Sequence, residues 1–258
     1  MKKILILLLF ANVLSMSLLA QDNRTRGKKG KQYGKQYGQI SGGWNHSLMD
    51  LSGFNNVLAF YNESLSDQSE KFTSLDFLQG PGAALTFYGA ADNKKFTRTM
   101  FEIGFSGRWK RLNAFNAALE EKQSVKLNAS SAHIRFGTLP VLTTNFDIGL
   151  GIGVDGSMVE ARASKGESTL ENVQTDFLVG ASVFMPIYIG FGKKNPLSLG
   201  IRPYYQYQFK SLDFQKLNQY LSPDTFQNLA PEKQKSRFSN YGVEVHLVII
   251  FSKRFLEG

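Results

Sequence analysis

The chain has 258 residues, 42% of them hydrophobic and 13% aromatic, with 24 Gly, no Cys and a formal net charge of +9. That length suits one large all-β domain or two small ones. The missing cysteine excludes disulfide staples, thiol catalysis and Cys-based metal sites.

Residues 1–20 read as a signal peptide. MKK supplies a positive start, ILILLLF an apolar core, and SLLA a small-residue cleavage site ending at Ala20. No Cys stands at the cleavage point, so a lipoprotein is not expected. Residues 21–38 form a basic, Gly-rich linker with a doubled GKQY unit, and 22–38 hold six Lys/Arg against one Asp. With Lys2 and Lys3 removed as well, 39–258 keeps 22 basic and 20 acidic residues. The basicity is therefore a property of a solvated tether, which alternatively touches anionic polymer or lipid head groups. For an exported chain, nucleic acid is not an expected partner.

Eight strands are expected at about 39–48, 82–90, 97–109, 126–138, 145–158, 175–191, 197–210 and 239–252. Residues 177–191, FLVGASVFMPIYIGF, show why. Phe177, Val179, Ala181, Val183, Met185, Ile187, Ile189 and Phe191 are uniformly apolar, whereas the even positions mix small, polar and aromatic residues. A period of two marks a strand with one greasy face. The same alternation sets Phe146, Ile148, Leu150, Ile152 and Val154 against Asp147, Gly149, Gly151, Gly153 and Asp155. The last strand sets Tyr241, Val243, Val245, Leu247, Ile249 and Phe251 against Gly242, Glu244, His246 and Ser252.

Three connections are short (AADNKK, LPVLTTN and GKKNP), and four are long, at about 49–81, 110–125, 159–174 and 211–238. Strict alternation puts every short turn at one end of an eight-stranded meander. That is the rhythm of a transmembrane barrel with short periplasmic turns and long extracellular loops. Strands of this length span a bilayer. Interfacial aromatics are expected at Trp109, Tyr205, Tyr207 and Phe209 toward the loop end and at Phe191 and Phe251 toward the turn end. Pro186 and Pro203 cannot donate to a ladder, so local bulges are expected there. A soluble lipocalin-type barrel is the alternative. It needs a well-charged exterior, and the faces bearing Glu102, Asp147, Arg202 and Glu244 are too sparse in charge to form one.

The signal peptide ending before Gln21, the eight strands and the short-turn, long-loop rhythm resemble small outer-membrane β-barrel proteins of Bacteroidota, the PorT-like or outer membrane protein beta-barrel domain group. The likeness covers nearly all of 39–258 and is one of architecture. It implies an all-β, eight-stranded antiparallel up-and-down transmembrane barrel in the bacterial outer membrane, with a role in type IX secretion as one suggestion. Such barrels usually end on an aromatic residue. This chain runs past Phe255 to Gly258, leaving Phe255 or Phe251 as the substitute.

With apolar faces outward, Glu102, Arg108, His133, Arg135, Asp147, Asp155, Arg202, Glu244 and His246 fall in the lumen. An eight-stranded barrel has room there for side chains only. Buried charges need partners, so an internal ion-pair network is expected, with Arg202 and Glu244 meeting near mid-barrel. Ser131, His133, Glu244 and His246 also permit a lipid-modifying enzyme, although no nucleophile motif surrounds the serines. Three histidines without a pairing motif are poor evidence for zinc, and neither metal nor cofactor is expected. In the long loops Leu51, Phe54, Leu58, Tyr61 and Leu65 recur at helical spacing, as do Leu212, Leu217, Tyr220 and Leu221. Ser222 then reads as an N-cap before Pro223. Such helices either fold over the barrel mouth or dock a partner. The reading is a monomeric, non-enzymatic barrel in contact with outer-membrane lipid, structural or accessory to secretion or envelope assembly through its loops. A narrow transport pore and a lipid-modifying enzyme are the alternatives.

Overall fold

A computed structural model describes residues 37–89, 98–142, 146–166, 168–191 and 197–252. The expected signal peptide, nearly all of the linker, the short turns AADNKK and GKKNP, residues 143–145 of LPVLTTN and Phe255 lie outside these residues; 139–142, expected in that third turn, instead end a strand.

Eleven strands are formed: β1 Tyr37–Met49, β2 Phe77–Tyr88, β3 Arg98–Asn116, β4 Glu121–Leu142, β5 Phe146–Lys165, β6 Glu171–Phe184, β7 Ile187–Gly190, β8 Leu197–Gln208, β9 Leu212–Asp213, β10 Lys235–Ser236 and β11 Asn240–Ser252. Helix α1 spans Ser52–Glu63 and α2 Gln215–Leu221. The ring runs β11–β1–β2–β3–β4–β5–β6/β7–β8 and closes through β8 to β11, every pair antiparallel. Strands β6 and β7 are two pieces of one barrel strand, so the ring counts eight. Closure leaves no unpaired edge at barrel level.

The break between β6 and β7 falls at Pro186. No residue is gained or lost there, because Phe184 pairs with Tyr204 before the break and Ile187 with Ile201 after it. Pro203 lies within β8, opposite Val243, in unbroken register with β11. The bulges expected at these two prolines are therefore not formed; the missing N–H opens a single gap in the ladder. The register shifts lie elsewhere, between Thr138 and Val141 around Pro140, and between Ala161 and Arg162.

Alternation decides which face meets what. Ile152 is 65% exposed and Phe105 62%, and Ile103, Phe136, Val154, Phe177, Val183, Val245 and Leu247 also stand outward. Gln39, Ser41, Thr86, Glu102, Ser131, Arg135, Asp155, Arg202 and Glu244 point inward and are buried. An apolar exterior around a polar interior is the pattern of a lipid-facing barrel, inside out relative to a soluble one. On β5 the outward apolar run reaches from Phe146 to Met158, enough for the roughly 9–11 tilted residues that cross a bilayer.

The regions 110–125 and 159–174, expected as loops, are mostly strand. The β3–β4 hairpin stays paired up to Asn116 and Glu121, and β5 pairs β6 up to Ala163 and Glu171. Their polarity inverts on the way. Beyond Trp109 and Met158 the inward residues become Leu112, Ala114, Val125, Leu127, Ala129, Val159, Ala161 and Ala163, all buried. The outward ones become Arg111, Asn113, Lys126, Glu160 and Arg162. There the sheet is amphipathic in the soluble sense, and its apolar side needs a cover.

Helices α1 and α2 supply it. Phe54, Val57, Leu58 and Tyr61 of α1 and Leu217 and Leu221 of α2 pack with those strand residues into one buried cluster. Phe54 meets Phe214 edge-on with ring centroids 5.4 Å apart. Asp50 Oδ1 accepts hydrogen bonds from Ser52 N and Oγ at the start of α1. Gly53 sits so close to the Gln234–Lys235 backbone that a Cβ would not fit. Its N–H donates to Ser236 Oγ at 2.8 Å, tying α1 to the connection between β8 and β11. Ser222 is the C-cap of α2 and starts no helix; a turn and a 3-10 segment, Phe226–Asn228, follow it. Among the described residues no helix is long and apolar enough to cross a membrane.

Candidate functional site

The lumen is filled in four levels. Nearest the short turns, Tyr88 of β2 and Tyr188 of β7 meet edge-on across the barrel, their centroids 6.4 Å apart, among Met100, Leu139, Phe184 and Val248. Strands β2 and β7 stand opposite each other in the ring, so this contact closes the section.

The second level is charged. Arg202 Nη2 donates to Glu102 Oε2 at 2.6 Å, and its Nη1 donates to Glu102 Oε1 at 2.8 Å and to Glu244 Oε2 at 2.9 Å. Arg135 Nη1 donates to Glu244 Oε2 at 3.2 Å, and its Nη2 lies 3.7 Å from Asp155 Oδ1. Register explains some of these meetings: Glu102 is the cross-strand partner of Arg135, and Glu244 of Arg202. Arg135 and Asp155 are diagonal neighbours on the adjacent β4 and β5, whereas Arg202–Glu102 and Arg135–Glu244 cross the whole barrel. Strands β3 and β8 are diametrically opposed, as are β4 and β11. His133 Nε2 lies 3.2 Å from Glu102 Oε1, and His246 Nε2 3.3 Å from Glu244 Oε2. Thr86 Oγ1 donates to Glu102 Oε2 at 2.9 Å.

Buried charge on this scale is tolerable only when paired and hydrogen-bonded. Planar guanidinium forks do this well, because two N–H groups match two carboxylate oxygens. Both forks also lie against aromatic faces. Arg135 is 5.1 Å from the Phe184 centroid and 5.7 Å from that of Tyr204, and Arg202 is 5.7 Å from Phe184. Glycine makes the room: Gly153 lies under the Arg135 stem and Gly151 under the Phe184 ring, where a Cβ would collide.

At the third level Arg108 replaces a carboxylate partner with neutral ones. Its Nη2 donates to Ser131 Oγ at 2.7 Å, and its Nη1 to Ser47 Oγ at 2.9 Å and Tyr204 Oη at 3.3 Å. Tyr204 Oη donates to Asn45 Oδ1 at 2.9 Å. The apolar cluster under α1 and α2 is the fourth level. Asp147 is half-buried at the turn end of β5, in register with Tyr188.

The serine and histidine of the enzymatic alternative are each held by other partners. Ser131 Oγ is held by Arg108 and by Ser157 at 2.8 Å, while His133 is held by Glu102. Among the described residues no hydrogen bond joins Ser131 to His133, and no group of three or more His, Asp or Glu is arranged to hold a metal. The third histidine, His46, is on the outer face beside Phe77.

At the loop end Trp109, Tyr205, Tyr207 and Phe209 stand outward, and at the turn end Phe191 does. Phe251 is in β11, but its side chain lies outside the described residues. Trp44 joins the loop-end aromatics, edge-on to Trp109 at 6.4 Å. Phe54, Leu58, Tyr61 and Leu217 are buried under the cap and Tyr220 is half-buried, so their apolar faces are already occupied. Sequence reasoning overlooked Asn45, Ser47, Thr86, Tyr88, Phe184, Tyr188 and Tyr204. The available signal was strand parity, since Phe184 and Tyr188 occupy the even, inward face of 177–191.

The molecule is thus an eight-stranded, lipid-exposed barrel with a filled lumen and a folded cap. No family model matches the chain, and no curated protein sequence matches it. Among solved structures it is similar to Ail, the attachment invasion locus protein of Yersinia pestis, crystallised with the heparin analogue sucrose octasulfate. The identity is 9%, coverage is 84% of this chain and 99% of that one, and the TM-score is 0.40. Neisserial surface protein A gives 12% identity, 84% and 97% coverage and a TM-score of 0.36. The outer membrane protein OprG of Pseudomonas aeruginosa gives 11%, 85% and 98%, and 0.41. At such scores nothing rests on the likeness. The barrel assignment stands on the strand ring and its exterior.

Proposed function

We propose that this chain is a non-conducting, non-enzymatic outer-membrane barrel with a structural or accessory role. The exposed apolar belt supports the membrane placement, and the expected leader at 1–20 supports the outer membrane as destination. One observation carries the non-conducting reading: Glu102–Arg202 and Arg135–Glu244 join diametrically opposite strands at hydrogen-bond distance. Side chains that meet across the axis leave no water column between them. Planar-bilayer recording of the purified protein tests this. A flat baseline is expected, and reproducible stepwise conductance overturns it in favour of a pore.

The finer role, service to a secretion or envelope-assembly complex of the PorT-like kind, is supported by the cap. Its apolar side is used internally, and it presents a fixed exposed surface through Ala59, Glu63, Lys216 and Gln219, three of them polar. Photo-crosslinkers at these four positions in native membranes are expected to trap one discrete envelope protein. Uniform absence of crosslinks counts against an accessory role and leaves the purely structural one.

A further inference from the structure

Three cations stand side by side on the outer faces of β3, β4 and β5. Arg111 is the direct cross-strand partner of Lys126, and Lys126 of Arg162. Like charges directly opposite one another destabilise a sheet, so a row of three needs compensation. The chain supplies part of it. Glu160 Oε2 accepts from Arg162 Nη2 at 2.9 Å. Arg111 donates to the neutral Ser124 hydroxyl at 3.0 Å, and the Lys126 ammonium lies 5.9 Å from the Trp109 ring centroid. Among the described residues, one carboxylate thus faces three cations.

The height of the row says what supplies the remainder. The outward row one step toward the belt is Trp109, Asn128 and Glu160, and the next is Gly107, Ser130, Met158 and Phe177. Apolar surface ends there. The cations therefore stand just past the aromatic interface, at head-group height on the loop side. Elsewhere around the rim the same stacking recurs, with Lys110 4.7 Å from the Phe77 centroid and Arg237 5.4 Å from that of Tyr207. We propose that Arg111, Lys126 and Arg162 form a site for the phosphate of an anionic lipid head group in the loop-side leaflet. The proposal rests on the membrane placement above and adds a ligand class to it. Guanidinium forks suit phosphate oxygens, and the ammonium adds a point charge between them.

The test uses the mature protein in nanodiscs of phosphatidylcholine and phosphatidylglycerol in equal parts, with retained lipid identified by native mass spectrometry. Wild type is expected to retain phosphatidylglycerol preferentially. Each cation replaced in Arg111→Gln, Lys126→Gln and Arg162→Gln should weaken that preference about five-fold. Equal retention by wild type and triple variant overturns the site. Displacement of the lipid by inorganic phosphate at constant ionic strength overturns the head-group assignment in favour of a soluble anion. Failure of wild type to enter nanodiscs overturns the membrane placement instead. If the triple variant does not fold, judged by its heat-dependent electrophoretic shift, Lys126→Gln alone carries the same test.

Discussion

Arg202 and Glu102 hold each other from opposite walls of the barrel, the two guanidinium nitrogens 2.6 and 2.8 Å from the two carboxylate oxygens. Glu102 is fully buried, at 0% exposure. Removing one member leaves the other charged with no water to receive it, which typically costs about 3–5 kcal/mol. Glu102→Gln and Arg202→Met are each expected to lose that much in urea unfolding from phosphatidylcholine vesicles. The double variant should lose clearly less than the two combined, because its survivors are neutral. Additive losses would mean that the pair does not act as a unit.

The glycines of the wall make a second contrast. A Cβ at Gly151 would strike the Phe184 ring and the Phe136 carbonyl, whereas one at Gly42 meets nothing within 4 Å. Gly151→Ala is expected to cost about 1–3 kcal/mol, as overpacking does, and Gly42→Ala to be neutral within error. The same vesicle unfolding assay ranks them. Equal effects would mean that wall glycines serve backbone freedom generally and not the seating of particular side chains.

How far the sequence could be read follows from where each signal lives. Strand faces in the belt are local: Phe177, Val179 and Val183 alternate with Leu178, Gly180 and Ser182, and parity alone puts one set outside. The extended hairpins escaped because their polarity inverts. Leu112 and Ala114 alternate with Arg111 and Asn113, and Val159 and Ala161 with Glu160 and Arg162, which reads as a loop when outward residues are expected to be greasy. Lumen membership is likewise written in parity, as Glu102 and Arg135 illustrate. Partnership across the axis is not, because Arg202 reaches Glu102 only once shear and side-chain reach bring opposite strands to one height. The bulge near Pro140, and not at Pro186 or Pro203, is also non-local: it depends on which neighbours need the missing N–H.

The cap should open without the barrel. Phe54 is 1% exposed and edge-on to Phe214, and its side chain is held by the cluster under the helices. Phe54→Ala is expected to remove about 3–5 kcal/mol locally. Hydrogen exchange should therefore speed up through α1 and α2 while β1 and β11 keep their protection. Uniform acceleration over both regions would make cap and barrel one cooperative unit.

Alkali should loosen α1 through Tyr61. Burial pushes its phenol above the ordinary value of 10.0, and only partly do hydrogen bonds to Asn116 and Gln123 pull it back. A raised acid binds its proton more tightly in the folded state. The stabilisation is therefore complete below the unfolded value and lost as pH climbs through the folded one. Phenolate absorbance should show Tyr61, like Tyr220 beside Glu171, titrating later than the exposed set. In Tyr61→Phe the late step should shrink by one phenol, and the alkaline loosening of α1 should disappear, at a cost near 1 kcal/mol for the lost hydrogen bonds. A late step of undiminished size in Tyr61→Phe would mean that Tyr61 does not contribute to it.

The sharpest test of the exterior is depth. On β5, Val154 is 59% exposed in mid-belt, while Glu160, six residues along on the same strand, is beyond the last apolar row. If lipid covers the belt, a charge at Val154 must leave water for hydrocarbon, whereas one near the aromatic rim can reach the interface. Val154→Arg is then expected to cost about 2–4 kcal/mol, and Asn128→Arg, in register with Glu160, about 0–1. In water the order reverses in kind: Arg at an exposed Val position would be harmless and would improve solubility. Measured in vesicles, a steep gradient from Val154 to Asn128 requires acyl chains around the barrel. A flat one would mean that the belt faces something other than a bilayer, and the head-group row at Arg111, Lys126 and Arg162 would lose its height reference with it.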